Sequence, residues 1–451
     1  MINMRRISIM IFIIFLFSEC FAQNKTWTFQ QCVDTALKRN ISVNQSRLSN
    51  ELNKISLAQS KANRIPSASA GANEGVSFGK NVDPTTNTYV VQTYNSTSFS
   101  LSGGLNLFNG LQNNRTIQQN TQAIEAGKYD IANVENTVML NITTAYLQVL
   151  FAYEILAAAE NQAASTAAQV ERTEKMVNAG KVPESNLFQI RSQYATDKLS
   201  VVNARGQLDM ARVTLLQLME VPVIDSFDVE KPVIAEPSPL ILKSNQDIYQ
   251  KALTVQPQIT GASLRTENAL LGIKISQGAR WPRMNLTGNV NTNFATSTKE
   301  PQGSGVNPYK VPFFDQLWNN LGESVGLSLS IPIYSNRQIR SNIEKATVNA
   351  ITARLNEQNT KNLLRKSIEQ TYTDLKTAMN KYEATKEQFS SAEVSYKNTE
   401  TKFNVGLVTA IDFLVEKNNY FQAQSNLIQS KYDYIFKTKI LDFYEGKEIK
   451  F

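Results

Sequence analysis

The chain has 451 residues, of which 42% are hydrophobic and 19% charged, and its formal net charge is +7. This apolar content excludes a disordered chain. Lys and Arg are mixed with Asp and Glu rather than clustered, so we expect no nucleic-acid partner. There is no histidine and there are only two cysteines, which removes the commonest general base and metal ligand. We therefore expect no cofactor, no metal site and no enzyme activity.

Residues 1–22 have the pattern of a secretory signal peptide. Arg5 and Arg6 precede an apolar run of about eleven residues, which is too short to span a bilayer as a helix. We place cleavage after Ala22. An N-terminal membrane anchor is the alternative, and a third is lipidation of Cys20, which Glu19 disfavours because lipoprotein signals carry a small residue there. No later stretch has an uninterrupted run of apolar residues long enough for a transmembrane helix, so any membrane-spanning segment is expected to be a strand.

The sequence contains an internal repeat. Matching residues lie first 216 and then 226 positions apart, as in Ala36 with Ala252, Arg64 with Arg280, Phe108 with Tyr334, Gly180 with Gly406, and Tyr194 with Tyr420. One insertion of ten residues explains the change of offset. The constant offsets predict two copies of one unit, at 24–220 and 245–446. The segment between them, 221–244, is rich in proline and predicts an extended linker.

Each copy has the same order of predicted elements: helix, strand, loop, strand, very long helix, break, helix. In the first copy these are a helix over Phe29–Asn63, strands at about 67–79 and 94–108, a long helix over Leu111–Asn178 and a helix over Asn186–Met219. In the second they are Ile248–Ala279, strands at about 283–296 and 322–334, Asn336–Asn404, and Ile411–Glu445. A helix of the predicted length measures roughly 100 Å.

The four predicted strands alternate apolar residues with Ser, Thr and Asn, which is the period of a strand. One interpretation is a half-exposed sheet of a soluble protein. The other is a membrane barrel with its apolar face toward lipid and its polar face toward a wet lumen. Four strands cannot close a barrel, and open edges have no partners in lipid. Strands in a bilayer therefore require several chains, and three chains give twelve strands. In the loop 297–321, we expect Phe313, Phe314 and Trp318 either at the membrane interface or packed within the loop.

The long helices carry a heptad pattern. In the first, apolar or small residues recur every four and then three positions, from Val138 and Ile142 through Thr166 to Val177, which predicts a coiled-coil seam. In the second, the run from Ile368 to Tyr382 meets Lys386 and Glu393, which we expect at solvated flanking positions.

Four passages resemble the TolC family of outer-membrane efflux channels. They are the strand-to-helix passages "LNLFNGLQNNR" and "LSIPIYSNRQIRS" and the helical turns "NAGKVPESNLFQIRSQY" and "NVGLVTAIDFLVEKNNY". The resemblance implies a mainly α fold with a small β part. Long antiparallel coiled-coil helices would form an α-barrel, and four β-strands per chain would complete a 12-stranded trimeric membrane β-barrel. The chain would be a homotrimer in the cell outer membrane with a periplasmic extension.

The resemblance also implies a role for the two turns at the periplasmic tip. There the family meets a periplasmic adaptor (membrane fusion protein) driven by an inner-membrane transporter. Candidate contacts, carried over by position, are Gly180, Val182, Asn186, Gly406, Val408 and Asp412, and candidate gate residues are Phe403, Asp412 and Glu416. Some members have a gate tyrosine where this chain has Phe403, and a second aspartate where it has Val415. Read without the family, the glycines end helices and Asn186 and Asp412 act as N-caps.

These patterns favour a passive exit duct of a tripartite efflux pump or type I secretion system, carrying small molecules or polypeptide. The alternative is a periplasmic coiled-coil adaptor or scaffold without a pore, which the heptads and signal peptide also fit. The sequence does not identify the cargo, the pump or the resting state of the tip.

Overall fold

The structure is a computed structural model that describes residues 26–82, 88–91, 93–223, 227–232, 236, 244–296, 299–300 and 309–450. The predicted signal peptide and Cys20 lie outside these residues. The chain divides into two compact units, which are described separately. The first comprises Met1–Leu48, Tyr129–Thr260 and Gln358–Phe451, and the second comprises Ser49–Lys128 and Gly261–Glu357.

Helices make up most of the described chain. They are α1 (Phe29–Arg39), α2 (Ile41–Ala62), α3 (Gln112–Asn178), α4 (Glu184–Leu218), α5 (Asn245–Val255), α6 (Pro257–Gly278), α7 (Phe313–Asn319), α8 (Gln338–Asn404) and α9 (Ala410–Tyr444). The strands are β1 (Ser67–Ser77), β2 (Lys80–Val82), β3 (Tyr89–Val91), β4 (Tyr94–Asn109), β5 (Arg283–Ala295), β6 (Lys299–Glu300), β7 (Tyr309–Lys310) and β8 (Gly322–Ser330). Both α3 and α8 have 67 residues, which corresponds to about 100 Å each.

The helix breaks occur at equivalent positions of the two predicted copies. The sequence predicted single helices over 29–63 and 248–279, but the chain leaves the helix at Asn40 and at Gln256, which lie 216 positions apart. At the first break, the side chain of Asn40 accepts hydrogen bonds from the backbone N–H groups of Ser42 (2.9 Å) and Val43 (3.3 Å) and so starts α2. At the second, Pro257 opens α6, where its missing N–H costs nothing.

The strand-to-helix passages share a backbone conformation. Gly110 and Leu111 both have positive φ, as do Asn336 and Arg337, which lie 226 positions further along the chain. In each copy, the second of these residues directly precedes the long helix. The similar sequences therefore encode the same sharp change of direction.

Four strands form one antiparallel sheet in the order β1-β4-β5-β8. The register puts the apolar residues on one face. This apolar face carries Ala68, Ala70 and Ala72 of β1, Phe99, Leu101 and Leu105 of β4, Met284, Leu286, Val290 and Phe294 of β5, and Val325, Leu327 and Leu329 of β8. The other face carries Ser69, Asn73, Ser98, Ser100, Ser102, Asn285, Asn289, Asn291, Asn293, Ser324, Ser328 and Ser330. The outer edges of β1 and β8 have no strand partner among the described residues of this chain.

Two predicted strand ends and two predicted loops differ from the structure. β1 ends at Ser77 instead of 79, before Gly79 with φ of +118°, and β8 ends at Ser330 instead of 334. Pro332 follows β8 and cannot donate a ladder hydrogen bond, which limits the strand. The sequence also missed the two short hairpins, β2–β3 and β6–β7, and the helix α7, all in segments assigned to loops.

The first unit has its core along the predicted heptad seam of α3. Val138, Ile142, Val149 and Thr166 are buried, and no described seam position is classed as exposed. α3 is the one described helix with an 18-residue stretch apolar and long enough to cross a membrane, but 56% of that stretch is buried inside the protein. It therefore has the character of a core helix. On α8, Lys386 is exposed and pairs with Glu236 at 3.1 Å, as expected for a flanking position.

Part of the segment predicted as an extended linker belongs to the core. Phe227 and Val229 are buried, and Val229 forms a parallel bridge with Trp27. The ring of Phe227 lies 6.1 Å from that of Trp27, and the hydroxyl of Tyr146 donates to the carbonyl of Glu230 at 2.7 Å. The prolines suggested a free connector, but the apolar residues between them pack against α3.

Candidate functional site

The candidate site consists of the two turns that join α3 to α4 and α8 to α9, both in the first unit. Each long helix ends at a glycine in the left-handed region, with φ of +66° at Gly180 and +80° at Gly406. In both turns the following N–H reaches back into the last helical turn, from Lys181 to Met176 (2.9 Å) and from Leu407 to Lys402 (2.9 Å). This bonding pattern closes a helix with a residue that tolerates positive φ, as expected for both glycines.

The second turn starts α9 with a reciprocal capping box. The Thr409 side chain accepts from the Asp412 N–H at 3.2 Å, and the Asp412 carboxylate accepts from the Thr409 N–H at 3.3 Å. The N-cap is therefore Thr409, and the prediction of Asp412 as N-cap was wrong, because its carboxylate reaches back from the third helical position. Asp412 also accepts from the Thr409 hydroxyl at 2.7 Å, and it remains exposed.

The first turn has no side-chain cap. Pro183 occupies the N-cap position without a side-chain hydrogen bond, and the Asn186 N–H donates to the Pro183 carbonyl at 3.1 Å. Asn186 is thus also at the third helical position, and its prediction as N-cap was wrong because proline's fixed φ and absent N–H set the start of α4. Val182 and Asn186 are half-buried.

An aromatic cluster brings residues of both copies together beside the turns. Phe403 is 7% exposed and its ring stacks on Phe413 at a centroid distance of 4.6 Å. Ile190 of α4 is fully buried in this cluster, and Val408 packs at its margin. Close to it, the Arg172 guanidinium donates to the Asn404 carbonyl at 3.0 Å. Phe403, a candidate gate residue, is thus a packing residue in the single chain.

The remaining candidates lie on the first turns of α9. Glu416 is half-buried and accepts from the Ser395 hydroxyl at 2.7 Å. Beside the capping box, Leu407 and Ile411 expose 75% and 59% of their surface, an apolar surface next to the exposed Asp412 carboxylate. Among the described residues, no group of three or more Cys, Asp or Glu side chains is placed to hold a metal ion. The first turns of α9 thus present an exposed apolar and acidic surface.

A buried charged cluster, missed by sequence reasoning, links three helices further along the coiled coil. Lys417 of α9 and Asp197 of α4 are 0% and 1% exposed, with Nζ 3.9 Å from Oδ2. The hydroxyl of Thr166 of α3 lies between them, accepting from Lys417 and donating to Asp197. The amides of Gln162 and Gln193 donate to the other carboxylate oxygen at 2.9 and 2.8 Å. We call Lys417, Asp197 and Thr166 the buried triad.

Burial lowers the pKa of Lys417 to about 8, although the charges of Asp197 and Glu400 act in the opposite direction. Loss of water around the ammonium group therefore outweighs the attraction of its partners. The sequence held a signal for this residue. Ala410, Phe413, Lys417 and Tyr420 follow heptad spacing on α9, so a lysine occupies a position that is otherwise apolar or aromatic.

A sheet with one apolar and one polar face, combined with long paired helices, is typical of outer-membrane channels. The sequence profile of the family described as "Outer membrane efflux protein" matches residues 32–220 and 248–437. The chain belongs to this family, and it is an outer-membrane protein. The two matched ranges correspond closely to the two predicted copies.

Relatives of known name are similar over most of this chain. The outer membrane protein TolC of Escherichia coli is 24% identical over 324 residues, which cover 71% of this chain and 63% of the relative. TolC of Salmonella enteritidis is 24% identical over 71% of this chain and 62% of the relative. The chain thus matches less than two thirds of the length of these relatives. The efflux protein BepC of Brucella suis is 22% identical over 73% of this chain and 67% of the relative.

Solved structures share the fold at low identity. The CmeC channel of Campylobacter jejuni has a TM-score of 0.76 at 18% identity, covering 93% of this chain and 86% of CmeC. VceC of Vibrio cholerae has a TM-score of 0.75 at 15% identity, covering 94% and 97%. The expected fold of the chain, mainly α with four antiparallel strands, is confirmed by these likenesses. They give no support to the alternative of a scaffold without a pore.

Proposed function

We propose that this chain is one protomer of a homotrimeric exit duct, which passively conducts small molecules or polypeptide from the periplasm to the exterior. The observation that carries the proposal is the four-stranded sheet, with one apolar face, one face of Ser, Thr and Asn, and two edges without a strand partner in the described chain. Exposed edges are unstable in lipid, so a membrane sheet of this kind must be completed by other copies. Three copies provide twelve strands around a polar lumen.

The long helices support the second part of the proposal, a tunnel that continues the barrel. Two helices of 67 residues are about 100 Å long, roughly three times the thickness of the hydrocarbon core of a bilayer. We propose that they carry the duct across the periplasm, and that the turns at Gly180 and Gly406 form its inner end. A periplasmic adaptor and an inner-membrane transporter are the proposed partners at this end.

The proposed tip contact surface is the exposed apolar and acidic surface around Leu407, Ile411 and Asp412. We propose that adaptor binding there changes the packing of the tip helices between two arrangements, which opens the duct. Phe403 and Glu416 act in this proposal by holding α8 and α9 together, Phe403 through Phe413 and Glu416 through Ser395.

Planar-bilayer recording of the purified protein tests the duct, because a scaffold without a pore produces no conductance steps. A detergent-requiring trimer that conducts supports the proposal, and a salt-extractable protein without conductance contradicts it. The tip is tested separately by Asp412→Lys with export of a fluorescent dye as readout. We expect export to fall while trimer formation and conductance persist. Glu387→Lys, at an exposed position of α8 outside both turns, is the charge-matched control and should export like the wild type. Equal export by the Asp412 variant and the wild type would show that this surface is not the contact.

A further inference from the structure

α7, a seven-residue helix in the segment that the sequence assigned to a loop, is attached to the apolar face of the sheet. The side chains of Thr292 and Phe294 lie on that face of β5 by register. Thr292 donates from its hydroxyl to the Leu317 carbonyl at 2.5 Å, and the Phe294 ring lies 4.8 Å from that of Phe313. Both contacts hold α7 on the apolar face, beside the end of β5 that leads into the loop.

Gln316 fixes the orientation of α7 about its own axis. This residue is 2% exposed, and its amide forms a two-way bond with Ala295, accepting from the N–H at 3.0 Å and donating to the carbonyl at 3.1 Å. The same amide nitrogen donates to the Val311 carbonyl at 2.9 Å, and Asn320 donates to the Asn293 carbonyl at 2.7 Å. With every polar atom of Gln316 bonded inward, the helix cannot roll without breaking buried hydrogen bonds.

This orientation separates the outward surface of α7 into an apolar and a polar half. Phe314 and Trp318, four residues apart and hence neighbours on the helix, are each 79% exposed. Asp315 and Asn319 are exposed on the adjoining half. Two large aromatic side chains held outward by a rigid helix are costly in water, and Trp with a polar rim is typical of membrane interfaces.

We propose that α7 is an interfacial anchor, with Phe314 and Trp318 inserted at the boundary between headgroups and acyl chains of the outer membrane. The inference rests on the proposed function in one respect, that the apolar face of the sheet is the lipid-facing one. The Phe314 ring packs edge-on against the Phe313 ring at 5.4 Å, and Phe313 packs on Phe294 of that face, which identifies lipid as the partner. The charged residues of the face, Glu74 and Glu323, lie near the loop ends of β1 and β8, as expected if this end reaches the headgroups.

Tryptophan fluorescence tests the anchor in the full chain. The protein has three tryptophans, and Trp27→Phe with Trp281→Phe leaves Trp318 as the only emitter. In liposomes of brominated phospholipid, we expect Trp318 to be quenched about twofold more by bromines near the headgroups than by bromines near the chain ends, because aromatic anchors sit at the interface. The control adds Trp318→Phe and Asn319→Trp, which moves the emitter to the polar half. This control should be reached by aqueous acrylamide and not by lipid.

Only preparations that conduct in planar bilayers are used, so that failure of the duct and failure of the anchor are distinguished. Conducting protein whose Trp318 is quenched by acrylamide and not by lipid overturns the anchor alone. Shielding of Trp318 from both quenchers in the trimer also overturns it, because the partner is then a neighbouring copy. Equal quenching of Trp318 and the control emitter by lipid contradicts the proposed orientation of α7.

Discussion

Replacement of Lys417 by methionine is expected to stabilise the protein at neutral pH. Methionine retains the flexible, largely apolar stem of lysine and removes the charge. The pKa of Lys417 falls from 10.5 to about 8, which corresponds to about 3 kcal/mol by which folding disfavours the charged form. Lys417→Met removes that cost, while Asp197 keeps the hydrogen bonds from Gln162, Gln193 and Thr166. We therefore expect the free energy of unfolding to rise by about 3 kcal/mol at pH 7.

The pH dependence of the free energy of unfolding independently tests whether Lys417→Met stabilises the protein. Below pH 8, Lys417 is charged in both the folded and the unfolded state, and the cost is fully present. Between pH 8 and 10.5 the unfolded state binds the proton and the folded state does not, so the stability of the wild type rises with pH. The advantage of Lys417→Met should therefore shrink across this window and vanish above it.

Urea unfolding followed by far-UV circular dichroism measures the effect. All variants are compared at one protein concentration, because subunit association makes stability depend on concentration. Lys386→Met is the matched control, since Lys386 is exposed on α8. We expect its urea midpoint to equal that of the wild type both at pH 7 and above pH 8. A Lys417→Met protein less stable than the wild type at pH 7 would refute the reasoning. It would mean that attraction between Lys417 and Asp197 exceeds the cost of burying the ammonium group.

Three further predictions use the same unfolding assay. Asp197→Asn should cost at most about 1.5 kcal/mol at pH 7, because Lys417 can deprotonate once its partner is neutral; a larger loss would mean that the lysine stays charged. Thr409→Ala removes the capping box and should cost about 1 kcal/mol, and an unchanged midpoint would show that the box is not formed in solution. Gly406→Ala should destabilise the protein by about 1–2 kcal/mol because φ is positive there. Gly206→Ala, in the open interior of α4, is the control and should stabilise the protein by about 0.5–1 kcal/mol. A change of stability in the same direction at both positions would contradict the assigned turn.

Patterns that repeat along the chain were readable from the sequence. Period-two alternation assigned Leu101 and Val290 to one face, and the register pairs them directly. The absence of proline over long stretches predicted α3 and α8 nearly to their ends. The glycines of the turns were identifiable because positive φ is a backbone requirement that few other residues meet.

Features that depend on one particular side-chain contact could not be predicted from the sequence. The break at Asn40 is stabilised by a local side-chain cap, and asparagine is too common within and between helices to announce it. α7 is a short helix, and nothing in its sequence distinguishes Phe314 and Trp318 from hydrophobic residues of an ordinary loop. Its position depends on the hydrogen bonds between Gln316 and Ala295 at the end of β5. Thr166 fitted the heptad pattern as a small seam residue, and the pattern did not predict that its hydroxyl bonds to Lys417 and Asp197.

The buried triad lowers the stability of the coiled coil but specifies the register of its helices. If Lys417 costs about 3 kcal/mol at neutral pH, an apolar residue would make a more stable coiled coil, and stability alone cannot explain the lysine. A charged group in a heptad core disfavours every helix register that leaves it without its partner, as polar core residues do in other coiled coils. Asp197 and Thr166 come from two other helices, so the penalty applies to sliding of α9 against α3 and against α4. The proposed opening of the tip requires the helices to repack without losing their register. We therefore expect Lys417→Met to alter export even though the protein is more stable.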